Sequence, residues 1–238
     1  MSIIKSNAVA PPLASGGSLS SISEMNSLRF HPSVGSLTYT LPNSGHSTDH
    51  TISLWIKMCG YSTTFQELVH LAVEPATSRG IFINNGKFTF NDSAGADTTG
   101  LGVIRDFSAW YHVVGSRNAS EKKLWVNGVL QSTESTSGDS NFAVQGRKMS
   151  IGKGVLSSYM GAWPLLNTVY LSALNYIDGA ALDPNSFGDR ISDIWAPKAY
   201  SGSYGTNGFH LDFAASNMDF TNSKVLDASG RGNDWTLN

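Results

Sequence analysis

Asn127-Gly128 separates two short runs of strand character, Lys123 to Val126 and Val129-Leu130. Both residues of a two-residue hairpin turn must take positive φ, and Asn-Gly is the pair that does so most readily. The spacing therefore predicts an antiparallel hairpin here, with Trp110 to Val114 as an aromatic, β-branched strand before it. Asn85-Gly86 repeats the arrangement between Ile81-Phe-Ile and Phe88-Thr-Phe. Leu28-Arg-Phe, Leu37 to Leu41, Glu67 to Val73, Arg147 to Ile151 and Val169 to Ile177 add further short apolar runs between Gly, Asn and Ser clusters. In Thr51-Ile-Ser-Leu-Trp-Ile-Lys-Met, alternation puts Ile52, Leu54, Ile56 and Met58 on one face. Helical periodicity is confined to one turn, with Asp183 as N-cap and Pro184 at the first position. The pattern predicts an all-β, two-sheet antiparallel sandwich.

A chain of 238 residues has room for one large β domain with a substantial core. The formal net charge is −2, and the basic residues form no cluster longer than Lys122-Lys123 or Arg147-Lys148. Binding to nucleic acid or to an anionic membrane through a basic patch is therefore not expected. Cys59 is the single cysteine, which excludes an intrachain disulfide and a multi-cysteine zinc site. At the end of an apolar run, it reads as a small buried side chain. Met1 to Ala14 contains Lys5 but no continuous apolar stretch after it, so synthesis and folding in a cytoplasm are expected.

The chain divides into four parts by composition. Residues 1–26, rich in Ser, Gly and Pro, read as an extended N-terminal arm, either a leader without a role or an arm that orders on a neighbouring subunit. Residues 27–195 carry the sandwich core, 196–208 a surface linker, and 209–238 C-terminal strands.

Several blocks carry a resemblance. Trp110-Tyr-His-Val followed by Leu124-Trp-Val-Asn-Gly, Ser27-Leu-Arg-Phe and Thr51-Ile-Ser-Leu-Trp-Ile resemble laminin-G-like, concanavalin A-like jelly-roll domains. Asn175-Tyr-Ile-Asp-Gly-Ala-Ala-Leu-Asp-Pro-Asn-Ser-Phe-Gly, Tyr204-Gly-Thr-Asn-Gly-Phe-His-Leu-Asp-Phe and Asp227-Ala-Ser-Gly-Arg-Gly-Asn-Asp-Trp look like the virion proteins of tailed bacteriophages in particular. The last block normally precedes the first strand of such a domain, whereas here it closes the chain. Either the final strands return to pair with the first ones, or they begin a second domain or pair with another subunit. The return is the favoured expectation, because two isolated strands are marginal in water.

The resemblance implies a noncatalytic virion structural protein at the particle surface. The expected form is a homo-oligomeric capsid decoration subunit with the major capsid protein or other virion proteins as partners. The alternative it leaves open is a carbohydrate-binding adhesin on a tail or head fibre that attaches the virion to host glycans. The resemblance also makes calcium a candidate ligand, which prefers carboxylate and carbonyl oxygens. Asp227, Asn233 and Asp234 form the oxygen-rich turn that would supply them, and the competing reading has Asp227 and Ser229 bonding local backbone instead. No cofactor is required.

Catalytic groups are scarce. A glycosidase needs two carboxylates flanking the scissile bond. None of Glu24, Glu67, Glu74, Glu121 and Glu134 has a second acid two residues away on a strand run. His46 and His50 are four apart in what reads as a polar loop, and His112 as a structural residue of its strand. Of the six tryptophans, Trp55, Trp110 and Trp125 fall in strand blocks, while Trp163, Trp195 and Trp235 fall nearer loops or ends.

Overall fold

The computed structural model describes residues 25–31, 35–60, 66–71, 80–92, 97–136, 138–139, 143–152 and 168–238. The arm before Met25 and Trp163 lie outside these. In chain order the first strands are β1 (Ser27–Phe30), β2 (Leu37–Thr40), β3 (His50–Met58), β4 (Gln66–Leu71), β5 (Gly80–Asn84) and β6 (Lys87–Asn91). Then follow β7 (Thr98–Thr99), β8 (Trp110–Arg117), β9 (Glu121–Val126), β10 (Val129–Ser135), β11 (Lys148–Ile151) and β12 (Val169–Asp178). The chain closes with β13 (Gly188–Ile191), β14 (Ile194–Pro197), β15 (Phe209–Leu211), β16 (Met218–Asp219), β17 (Lys224–Val225) and β18 (Trp235–Leu237). No helix among the described residues is long and apolar enough to cross a membrane.

Two antiparallel sheets face each other. One has seven strands, in the order β1-β12-β3-β8-β9-β10 with β15 also on β12. The other has nine, in the order β16-β17-β18-β2-β11-β4-β5-β6-β7. Alternation decides what lies between them. Leu28 and Phe30, Ile52, Leu54, Ile56 and Met58, and Leu171, Leu174 and Tyr176 point inward from the first sheet. Leu37, Tyr39, Ile81, Phe90, Met149, Ile151 and Trp235 meet them from the second.

Both Asn-Gly hairpins form, with Asn85 and Asn127 at φ 50° and Gly86 and Gly128 at φ 70° and 76°. Asp183 caps a short 3-10 turn over Pro184–Ser186, accepting from the Asn185 N–H at 2.9 Å. The strands after residue 208 lie within the two sheets: β15 pairs with β12, and β18 pairs with β2. Trp235 is fully buried there, stacked on Tyr39 at 5.6 Å and edge-on to Phe209 at 4.9 Å. Each such aromatic pair contributes about 1 kcal/mol beyond its buried area.

Two sequence expectations fail. Cys59 is exposed, because β3 ends at Met58 and the chain turns outward, where the Cys59 N–H donates to the Thr168 carbonyl at 3.0 Å. His50 is not in a loop. It opens β3 and is wholly buried, with Phe90 and Tyr176 rings about it at 6.0 and 6.4 Å.

Candidate functional site

The outer face of the seven-stranded sheet is covered over only part of its extent. Thr51, Ser53 and Trp55 of β3 point outward, in register with Ser116, Val114 and His112 of β8. After β12 the chain folds back over this face. Phe187 and Tyr204 pack on Val114 and Ile177 as a second, smaller core, with Leu182, Tyr200 and Trp125 against it. The linker predicted from composition is thus a packed cover, anchored by Asp178. Its carboxylate accepts from the His46 N–H at 2.7 Å and the Asn207 N–H at 3.0 Å.

Beneath the cover lies a hydrogen-bonded aromatic stack. Trp55 stacks on the His112 ring with centroids 4.9 Å apart, and Trp195 lies nearly parallel to it at 5.9 Å, with its indole nitrogen at the edge of the imidazole. Trp195 Nε1–H donates to His112 Nδ1 at 2.9 Å, and His112 Nε2 lies 2.9 Å from Ser53 Oγ. An indole nitrogen only donates, so Nδ1 must be the bare nitrogen and Nε2 carries the proton. Burial pushes the imidazole pKa down to about 3, in keeping with a neutral ring. Ser53 and His112 have the spacing of a hydrolytic dyad but the wrong tautomer for one. The ring donates to the hydroxyl and has no lone pair directed at it, so it cannot take the serine proton.

The Asn-Gly turn supports this stack. Asn127 Oδ1 accepts from the His112 N–H at 2.8 Å. Gly128 presses its bare Cα against Trp195, where a Cβ would meet the ring at 2.7 Å. The turn is therefore a hairpin signal and a bed for the tryptophan at once.

A cleft of about 230 Å³ opens at the margin of the cover. It forms where β12 changes partners. β1 pairs with β12 up to Ser172, β15 pairs with it from Leu174, and the register with β3 slips between Ser172 and Asn175. Ala173 sits in that bulge at φ 43°, a conformation costing a non-glycine residue about 1 kcal/mol or more. The bulge aims Asn175 into the cleft. Its Nδ2 donates to the Ala173 carbonyl at 2.9 Å and its Oδ1 accepts from Tyr204 Oη at 3.0 Å, which leaves one amide N–H uncommitted. Trp55, Ser53, Tyr200, Lys198, His210 and Asp212 line the cleft with Asn175. Burial lowers the His210 pKa, opposed by Asp212 and Asp227, so the ring is neutral near pH 7. Asp212 is the one carboxylate among the lining residues, and Asn217 Nδ2 and the Ala214 N–H already donate to it. The sequence reading missed this cleft. Its elements lie more than a hundred residues apart, and an Ala-centred bulge leaves no local signal.

The predicted calcium turn lies behind the cleft. Asp227 Oδ1 accepts from the His210 and Ser229 N–H groups at 2.8 and 2.9 Å, and Oδ2 from Ser229 Oγ at 2.7 Å and the Asn233 N–H at 3.1 Å. Asn233 donates its amide to the Thr206 and Gly208 carbonyls at 3.2 and 2.8 Å. Asp234 accepts from the Asp227 N–H at 3.0 Å and faces the Lys224 ammonium at 3.6 Å. Four donors occupy the Asp227 oxygens and a cation accompanies Asp234, an arrangement that serves the turn's own backbone better than an ion needing six or more oxygen ligands. The turn instead holds β15 and the cleft's His210 in place. Asp227→Ala is expected to lower stability by about 2 kcal/mol, and Ca²⁺ to leave the wild-type melting temperature unchanged, both checked by calorimetry.

Residues 35–162, more than half of the chain, match the family model Laminin_G_3, described as the concanavalin A-like lectin/glucanases superfamily. No curated protein sequence matches. Among solved structures, a candidate carbohydrate-binding protein from Bacteroides ovatus superposes with a TM-score of 0.60 at 13% identity, over 90% of this chain and 58% of that one. A heptameric SAP-like pentraxin from Limulus polyphemus gives a TM-score of 0.48 at 16% identity, over 66% and 77% of the two chains. The binding domain of botulinum neurotoxin serotype D gives 0.46 at 15%, over 67% and 41%. The chain thus spans little more than half of the Bacteroides protein and less than half of the toxin domain.

Proposed function

The chain belongs to the concanavalin A-like lectin/glucanases superfamily, and from that premise we propose that it is a noncatalytic saccharide-binding domain whose combining site is the cleft beside β12. The observation that carries this is the convergence of Asn175, Ser53 and a neutral His210 on one small space walled by Tyr200. Sugars present an apolar ring face and a rim of hydroxyls. An aromatic wall with neutral donors and acceptors around it is the matching surface. A cleft of about 230 Å³ is smaller than the roughly 300–1,000 Å³ of drug-sized ligand pockets, which suits a terminal or single sugar ring. The single carboxylate and the inverted Ser53–His112 tautomer favour binding without turnover.

A glycan array followed by titration calorimetry tests the proposal. Tyr200→Ala and Asn175→Ala are expected to weaken the best array ligand about tenfold each, as the loss of one stacking or hydrogen-bonding contact would. Silence of the wild-type protein across neutral and acidic glycans would count against it.

A second reading concerns where the domain works. Of the three blocks that resemble bacteriophage virion proteins, Asn175 to Gly188 and Tyr204 to Phe213 supply Asn175, Phe187, His210 and Asp212 of the cleft's lining, and Asp227 to Trp235 supplies the turn that holds His210. That favours a place on a virion surface, as a capsid decoration subunit or an attachment protein, assembled as a homo-oligomer. Its test is copy number: hundreds per particle support a decorated shell, and a dozen or fewer support a tail.

A further inference from the structure

Beyond the cleft, the sheet's outer face carries a transverse row that the sequence scatters from position 29 to position 170. Arg29 of β1 is in register with Tyr170 of β12, Tyr170 with Lys57 of β3, and Lys57 with Trp110 of β8. Residues directly opposite share a face. Their neighbours Leu28, Phe30, Ile56, Met58 and Leu171 point into the core, so all four point outward. Arg29 is exposed, and Tyr170, Lys57 and Trp110 are half-buried. Cation and aromatic alternate across four adjacent strands, a span of about 14 Å at the usual strand spacing.

This row adjoins the cleft. The next row on the same face, two residues along each strand, is Ser27–Ser172–Trp55–His112, and Ser172 and Trp55 line the cleft. The cations are also uncommitted. Among the described residues, neither the Arg29 nor the Lys57 side chain forms an ion pair or a hydrogen bond. Both act electrostatically on Cys59, and Lys57 also on Asp106, whose Oδ1 accepts from the N–H and hydroxyl of Ser108. In a chain of net charge −2, these two like charges lie one strand to either side of a tyrosine and repel each other, and among the described residues no carboxylate forms an ion pair with either.

We infer that the Arg29–Tyr170–Lys57–Trp110 row is an extended subsite for an anionic polysaccharide, whose rings lie on the two aromatics while its carboxylates or sulfates meet the two cations. The inference rests on the saccharide-binding reading of the cleft and assigns the class of saccharide. Aromatic faces suit sugar rings, and guanidinium and ammonium groups suit their acidic substituents. The row's continuity with the cleft lets one chain occupy both.

The test compares wild type with the double variant Arg29→Gln/Lys57→Gln and with Tyr200→Ala, on an oligogalacturonate, on dextran sulfate and on unmodified dextran. Duplex DNA serves as a polyanion without exposed sugar faces. Melting temperatures within about a degree of wild type establish that the surface variant is folded. Wild type is expected to bind one or both acidic saccharides more tightly than dextran, with an affinity that falls as salt rises. The double variant is expected to lose about tenfold or more on the acidic ligands, for two charge-assisted contacts, and nothing on any ligand held by the cleft alone. The two acidic arms separate carboxylate from sulfate recognition. Array ligands that are all neutral, with the double variant indistinguishable from wild type, would overturn the row while leaving the cleft intact. Equal binding of DNA, lost in the double variant, would also overturn it. No binding to any saccharide would remove the cleft reading as well.

Discussion

Asp92→Ala is expected to remove about 3–5 kcal/mol of stability, the cost of stripping one partner from a buried ion cluster. For a chain of this size that is a fall in melting temperature of roughly 10 °C. Asp92 follows β6 in the nine-stranded sheet, while Arg117 and Lys122 lie on β8 and β9 of the seven-stranded one. All three side chains are fully buried. Arg117 Nε pairs with Asp92, its Nη1 donates to the Thr48 carbonyl at 2.9 Å and its Nη2 to the Gly138 carbonyl at 2.6 Å, and Lys122 Nζ stands 3.2 Å from Asp92. Desolvating such charges is expensive, and removing the carboxylate leaves two cations in the interior with their attraction gone. Glu121→Ala is the control. Its pair with Lys123 is about one-third exposed on each side, and such surface pairs contribute only about 0–1 kcal/mol. Denaturant melts of the two variants should therefore differ severalfold. An Asp92→Ala protein that unfolds with wild type would show that the cluster does not join the sheets.

What the sequence displayed, and what it hid, divides along chain separation. Both Asn-Gly hairpins and the Asp183–Pro184 turn are legible because their causes are local: the φ values a residue tolerates, and a side chain that reaches its own backbone. The inward face of β3 is legible because alternation is a property of one strand. The outward face is not. That Lys57 shares a row with Arg29 and Trp110, or that Trp195 reaches His112 from 83 residues away, depends on the register of strands paired across the whole chain. His50 is misread as part of a loop because its neighbours Thr48 and Asp49 have loop character, while its burial comes from Phe90 and Tyr176, distant in sequence. Cys59 fails for the opposite reason, since an apolar run predicts burial only as far as the strand continues. The Asp227 turn shows the limit of composition. An oxygen-rich turn can be built for an ion or for its own backbone, and only the hydrogen-bond partners distinguish the two.

Acid should weaken this fold well before its carboxylates protonate. His112 and His50 are both fully buried, and desolvation is the main cause that lowers their pKa values, to about 3 and about 4. An unfolded histidine titrates near 6.5. The folded values lie below the unfolded ones, so the unfolded state takes up the proton first. The stability carried by the neutral rings is complete above pH 6.5, falls as the pH drops below that, and stops falling once the pH passes the folded values near 4 and 3. At pH 5 each ring costs about 2 kcal/mol, and the pair together about 4 kcal/mol. Melting temperature measured from pH 7 to pH 4 should fall by roughly 10 °C or more. The His112→Phe variant gives up its bonds to Trp195 and Ser53 and starts less stable at pH 7, so the informative quantity is the slope. With this titrating ring gone, stability should decline less steeply, His50 and His210 carrying what remains. In the folded protein the neutral ring keeps its bond from Trp195 Nε1 down to a pH near 3, so above that pH the tryptophan is released only as the chain unfolds. Its fluorescence should change together with the melting curve, and an unaltered slope in His112→Phe would remove this ring as the cause.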